Sequence, residues 1–520
     1  MISNKSKELI YLIILFLFSI SFNQYYGYLG INPIDSFFSF NSGYDTLNGH
    51  YPFRDYWTIT GPFIDVIQAI FFKIFGVSWF SYVLHASIFN FIITISTFFT
   101  LYRFKLNIDY CFFYAFLVSI LGYPSAGTPY VDHQSAYLSI IAVFCFILAL
   151  KTDSKIYWFL LPIILGISFL TKQAPTAHIL LIIIFLSIIY FLFNFDIKKI
   201  ISGILGSTTI ISIFLLILAV SEISLTSFIE QYILFPLSLG ESRMQFLFPL
   251  EFKRIILRYK LIHLSSLLLI IVSIKMIIKE NKYLKNNEFL ITLSLITSSY
   301  ALIAHQLMTI NGMFIFFMIP ILAGFSHIYY IKYFKNKNYI LYLLILLSIS
   351  STFYYWYKYI HTRDFMDLRK VNTRNAIDAK ILDNKLSGLR WITILYPTDP
   401  KKEIAQLSKA INIIKNDPKN KIIVTDYQFI SVILSIYDNS PNKYWYPYHA
   451  HPIKNSKYYK IYKNFFINKL KENQIEIVYL VKPLWGGDNA FEIYLSKDCL
   501  KKNKITEIMD SYILLKCNDL

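Results

Sequence analysis

Eleven long apolar runs constrain this chain more than any other feature. They are Leu9–Phe22, Trp79–Phe99, Tyr110–Ile120, Ser135–Leu150, Ile156–Leu170, Ala177–Phe195, Ile200–Val220, Leu261–Ile274, Phe289–Ala304, Met313–Ile331 and Tyr339–Tyr357. A helix of ~20 apolar residues crosses the hydrocarbon of a bilayer, and the shorter runs borrow flanking residues to reach that length. Within hydrocarbon, a spanning segment must satisfy its own backbone groups, as a helix or a closed barrel. The first run follows Lys5 and Lys7, and no small-residue cleavage site follows it. It therefore reads as an uncleaved helix rather than a signal peptide.

Composition agrees. Hydrophobic residues make up 55% of the 520 positions and charged residues 16%. Soluble domains average about 45–50% and about 25%. This excludes a disordered chain and a collagen-like fibre, and argues against an ordinary soluble enzyme. Four cysteines are too few for a disulfide scaffold.

The net charge of +18 raises the question of nucleic acid. Its distribution answers it. One set of alternate loops carries Lys5 and Lys7, Arg103 and Lys105, Lys151 and Lys155, and Lys198 and Lys199. It continues with Lys275, Lys279, Lys282 and Lys285, then Lys332, Lys335 and Lys337. The opposite set is poor in Lys and Arg outside two long loops. By the positive-inside rule the basic set is cytoplasmic, together with the N-terminus. The long loops 23–78 and 221–259 then face outward, as does everything after Lys358. The basic balance reports orientation, and no nucleic-acid partner is expected.

Beyond about His361 the charges become dense and no spanning run appears. Lys401–Asn416 has helical periodicity, with Ile404, Leu407, Ala410, Ile411 and Ile414 on one side. Lys421–Thr425, Ile475–Val481 and Ser511–Lys516 read as strands. The expected fold class is an α-helical polytopic membrane protein of about eleven spans with a small C-terminal α/β extracytoplasmic domain. The division is residues 1–360 and 361–520. No GxGxxG, Walker sequence or metal-spaced Cys/His cluster marks the tail. Cys111 and Cys145 read as packing residues. Cys499 and Cys517 are either a bridge or two unrelated thiols.

The first outer loop carries a chemical signal. Asp35 is followed by Gly49, then Pro52-Phe53-Arg54-Asp55, Pro62, and an amphipathic aromatic stretch ending in Phe75-Gly76. This pattern resembles the GT-C superfamily of membrane glycosyltransferases, in the branch near protein O-mannosyltransferases and lipid A aminoarabinose transferases. As a pattern of spans the resemblance covers roughly residues 1–330. Ser36 stands where many relatives have Glu, and His85 near where an Arg is usual.

The resemblance implies sugar transfer from a polyprenyl-phosphate donor to a glycan, lipid or protein acceptor at the bilayer surface. Such transfer needs an acceptor hydroxyl or amine to attack the anomeric carbon, and a carboxylate within reach can take its proton. Cations stabilise the departing phosphate. Asp35 is the expected general base; the plainer reading is an interfacial acid capping the helix that follows. Arg54 and Asp55 would orient a substrate, or else brace the loop by pairing. Asp132 resembles the family's second acidic position and, with His133, would bind the acceptor or assist Asp35; the alternative is a helix-start acid. The family often has a Lys near Lys172, a phosphate ligand if not a snorkelling anchor, with Gln173 beside it. Arg243, in a basic aromatic loop, and His305 complete the candidate substrate-binding residues; the plainer readings are an interfacial amphipathic helix for the first and a buried or interfacial histidine for the second. No cofactor is implied, and no paired-carboxylate motif points to a divalent metal.

Two other classes fit the sequence less well. A transporter or flippase of a lipid-linked glycan would be expected to show inverted repeats and acids within the spans. Neither is seen. A non-catalytic anchor for the tail is the third. Use of a lipid-linked sugar, with abundant Lys, Ile and Asn, points to the inner membrane of a bacterium, with a periplasmic tail.

Overall fold

The structure, a computed structural model, describes residues 4–247, 251–279, 282–334, 338–437 and 439–517. Every apolar run falls on a helix. Among the described residues, nine helices are long and apolar enough to cross a membrane, from Lys5–Gly27 to Asn338–Met366. Lys155–Thr171 is shorter, at 17 residues, and Met318–Tyr333 has 16. The last of these begins later than its apolar run because residues 313–317 form a loop and turn. The chain is thus a multi-pass helical membrane protein with a small sheet near its C-terminus.

Local chemistry sets the helix ends. The side chains of Asn107 and Asn286 accept the backbone N–H two residues on, capping Ile108–Leu121 and Asn287–Thr309. Between Lys155–Thr171 and Gln173–Phe193 the chain breaks at Lys172, which is extended (φ −158°, ψ 138°). Ala174 is also extended, as the residue before Pro175 must be.

The chain divides into two compact units. The first comprises Met1–Gly27, Ala86–Leu215 and Ser242–Phe365. Ion pairs tie its basic loops to one another. Lys7 meets Asp109 at 2.5 Å, Lys199 meets Asp153, and Glu288 receives both Lys151 and Lys332 at 3.3 Å. These pairs join neighbouring loops that the charge pattern assigns to the same side. Lys335 and Lys337 lie outside the described residues.

The second unit comprises Tyr28–His85, Leu216–Glu241 and Met366–Leu520. Strands β1 (Ile377–Asp378) and β2 (Arg390–Trp391) form a short ladder. Beside it, Arg390 donates its N–H to Tyr28 O and accepts from Gly30. Four further strands, β3 (Lys421–Thr425), β4 (Ile477–Val481), β5 (Leu500–Lys504) and β6 (Met509–Leu514), make one sheet in the order β3-β4-β6-β5. β3 and β4 are parallel and the other pairs antiparallel. Three of these strands match the β-rich runs. β5 (LKKNK) does not, because it is a hydrophilic edge whose lysines discourage further pairing.

Alternation splits the sheet's side chains between two cores. Ile423, Ile477, Tyr479 and Val481 pack on helix Pro400–Asn416 and on Phe37 and Phe40. Ile422, Val424, Val478 and Leu480 pack on Tyr462 and Phe466 of helix Tyr459–Glu472 and on Trp57. The segments expected as outer loops thus share a core with the tail. Cys111 and Cys145 are free and buried, whereas Cys499 and Cys517 are joined across 18 residues of sequence. Cys517→Ser should lower the stability of this unit by about 3 kcal/mol, read as thermal unfolding in detergent. Alkylation of the denatured variant should label Cys499 in addition to the two free thiols of the parent.

Candidate functional site

In the first unit, the sequence candidates Asp132, Lys172 and His305 come together. Asp132 sits in the first turn of Val131–Thr152, where the helix dipole favours an acid. Its carboxylate is 2% exposed. Oδ1 accepts from Lys172 Nζ at 2.7 Å and faces His305 Nε2 at 2.8 Å. Asn311 Nδ2 lies 3.5 Å from Oδ2. Lys172 reaches Asp132 from the extended break between two helices, and His305 from the last turns of Asn287–Thr309. One carboxylate therefore ties three apolar helices at their ends. Lys172 keeps 18% exposure, and only one of its three N–H groups is used on Asp132.

The surroundings hold this centre in place. Arg363, with no exposed surface, donates to the carbonyls of Pro124 and Ala126, both at 3.0 Å, in the turn before Asp132. Gly127 follows that turn with φ +80°, and a Cβ there would come within 2.7 Å of Gly27. Arg258 donates to Asn311 O at 3.3 Å. Its guanidinium occupies the space a Cβ at Gly312 would need, so it supports the loop that carries Asn311. His133 points elsewhere. Its Nε2 pairs with Ser125 Oγ at 2.7 Å, and its ring lies 4.2 Å from that of Phe314, fully buried. Gln173 opens the helix after Lys172, and Arg243 lies on helix Phe235–Leu247.

The second unit holds Asp35, Arg54 and Asp55. Asp35 is half-buried on the short helix Pro33–Ser36. The neighbouring Ser36 accepts from Asn32 N at 2.9 Å and packs on Met366. The acid that opens helix Phe63–Phe75 is Asp65, not Asp35. Asp426, just past the end of β3, is 2% exposed and accepts from Trp485 N–H at 2.9 Å. Burial pushes its carboxyl up to about 7, and the charge on Asp35 adds to that effect.

Arg54 is heavily committed. It donates to Asp55 Oδ2 at 2.7 and 3.0 Å, to Ser221 O at 2.8 Å and to Gly49 O at 2.5 Å. This pair braces the loop. Phe53 before it takes φ +69°, a conformation rare for a bulky residue, and packs on Phe228 and Tyr232. Deeper in the unit, Lys443 pairs with Asp45, both buried. Asp65 accepts from Ser42 Oγ at 2.5 Å, and burial pushes its carboxyl up to about 7 against the pull of Ser42 and Lys443.

Sequence reasoning missed Asp426, Asn311, Arg363 and the Asp45–Lys443 pair. Asp426 ends a β-rich run and was open to notice; the others need the tertiary structure. Among the described residues no group of three His, Cys, Asp or Glu side chains is placed to hold a metal ion.

No protein-family model matches the chain, and no curated protein does. Among solved structures, the chain is similar to the oligosaccharyltransferase of Archaeoglobus fulgidus. Its apo form gives a TM-score of 0.45 at 12% identity, over 92% of this chain and 70% of that one. The form tethered by a disulfide to an acceptor peptide containing the NVT sequon gives 0.43 at 12%, over 92% and 69%. A likeness of that degree assigns no function to this chain.

Two outcomes follow from the buried charges. Asp132→Asn should cost about 2–4 kcal/mol, because it leaves Lys172 largely buried without its carboxylate; partial exposure of the ammonium keeps the loss from the top of the usual range. Asp132→Asn with Lys172→Met should cost less than the two single changes summed, measured by thermal unfolding in detergent. Asp65 and Asp426 hold protons in the folded chain that the unfolded chain has released above ~4. Stability should therefore fall as pH rises from about 4 to about 7. Asp65→Asn should flatten that fall; an unchanged slope would exclude Asp65 as a source.

Proposed function

We propose that this protein is an integral membrane glycosyltransferase of the GT-C type. It transfers a sugar from a polyprenyl-phosphate donor to a glycan, lipid or protein of the cell envelope. The reaction takes place on the outer side of a bacterial inner membrane. The observation that carries this reading is the place of Asp35, half-buried on the short helix Pro33–Ser36 in the loop after the first span. The spacing from Asp35 through Pro52-Phe53-Arg54-Asp55 to Phe75-Gly76 supports the same reading.

In the reaction, the acceptor proton passes to Asp35 as its oxygen or nitrogen attacks the anomeric carbon. The new bond forms as the bond from that carbon to the phosphate oxygen breaks, and polyprenyl phosphate leaves. One displacement with one base inverts the anomeric centre. Within the first unit, Lys172 is held by Asp132 and keeps N–H groups beyond that contact. Arg54 and Asp55 act as a brace that shapes the loop after Asp35.

Asp35→Asn should lower transfer by about 10²–10⁴-fold, with membrane insertion and unfolding temperature retained. The assay follows label from a polyprenyl-phosphate sugar into envelope acceptors in isolated membranes. Transfer at the parental rate would remove Asp35 as the base.

A further inference from the structure

At the carboxyl ends of β3 and β4 the second unit contains a cleft that Asp35 does not line. Its volume is about 270 Å³, below the ~300–1,000 Å³ of pockets for drug-sized ligands. The ends of parallel strands are where open α/β sheets bind ligands. Tyr427 follows β3 and Lys482 follows β4, and helix Pro400–Asn416 brings Glu403 and Gln406 to the same wall.

These groups are arranged in advance. Glu403 is 2% exposed. Its carboxylate accepts from Trp391 Nε1 at 3.0 Å, Thr393 Oγ at 2.8 Å and the Tyr427 hydroxyl at 2.6 Å. A carboxylate has about four acceptor sites, so one remains. The Tyr427 oxygen, its proton given to Glu403, can accept. Gln406 accepts from the Tyr396 hydroxyl at 2.6 Å and donates to Glu507 at 2.9 Å, with a second amide N–H left over. The Lys482 ammonium is compensated by Asp488 at 2.8 Å and Asp510 at 3.0 Å.

The balance of charges selects the ligand class. With Lys482 compensated and Glu403 beside it, no net positive charge faces a phosphate. With three donors already on Glu403 and an ammonium nearby, a cation is not favoured either. What remains is a wall of mixed donors and acceptors, which suits hydroxyl groups that both give and take hydrogen bonds. Leu395, Tyr396, Pro483 and Ile508 add apolar surface for the C–H faces of a ring. We propose that this cleft binds one neutral pyranose residue of a glycan. Binding there is a property of the second unit and does not require transfer, so it stands or falls apart from the proposed reaction.

The test uses the full chain in lipid nanodiscs with methyl pyranosides of glucose, galactose, mannose, N-acetylglucosamine and rhamnose, and their disaccharides. Saturation-transfer NMR detects binding and titration calorimetry measures it. At least one member should bind, and Tyr396→Ala and Gln406→Ala should each weaken it tenfold or more with unfolding temperatures within a few degrees of the parent. Glu403→Gln should weaken it as well. Asp35→Asn should bind as the parent does, even where transfer is lost. The proposal is overturned if no member binds, if Tyr396→Ala and Gln406→Ala both bind like the parent, or if Asp35→Asn abolishes binding.

Discussion

A peptide group in hydrocarbon has no water to bond, and this one cost organises the first unit. Each apolar run closes its own hydrogen bonds as a helix, which leaves the helix ends as the places where polar groups can meet. At some helix ends the meeting is between basic loops and a few acids, Lys7 with Asp109 and Glu288 with Lys151 and Lys332. At other helix ends it is concentrated on a single carboxylate, Asp132, shared by Lys172 and His305.

The two kinds of meeting differ in what they contribute. Surface ion pairs in water are worth little individually, and those of the basic loops chiefly record which loops are neighbours. The Asp132 centre is buried, so each charge there depends on the other. Arg363 and Arg258 extend the dependence, because they hold the backbone on either side in the conformation that Asp132 and Asn311 require.

The second unit follows another logic. Its sheet is buried on both faces along β4, and its core is assembled from distant stretches of chain, Phe37 and Trp57 among them. Charges enclosed by such a core are either paired, as Lys443 with Asp45, or held toward the neutral form, as Asp65 and Asp426. Asp35 stays half-buried. Glu403 lies within the same core, its carboxyl surrounded by donors and raised by burial.

The sequence by itself determined the helices and three of the strands. Hydropathy and alternation are local properties, and burial acts on them residue by residue. The family resemblance together with positions at span ends singled out Asp132 and Lys172 as candidates, and a place at a span end singled out His305. Their union on one carboxylate, the sharing of a core between the loop after the first helix and the tail, and the Cys499–Cys517 bond were decided only by the tertiary structure. Each is a contact between residues far apart in the chain, and no local pattern specifies which distant partner a charge or a thiol will meet.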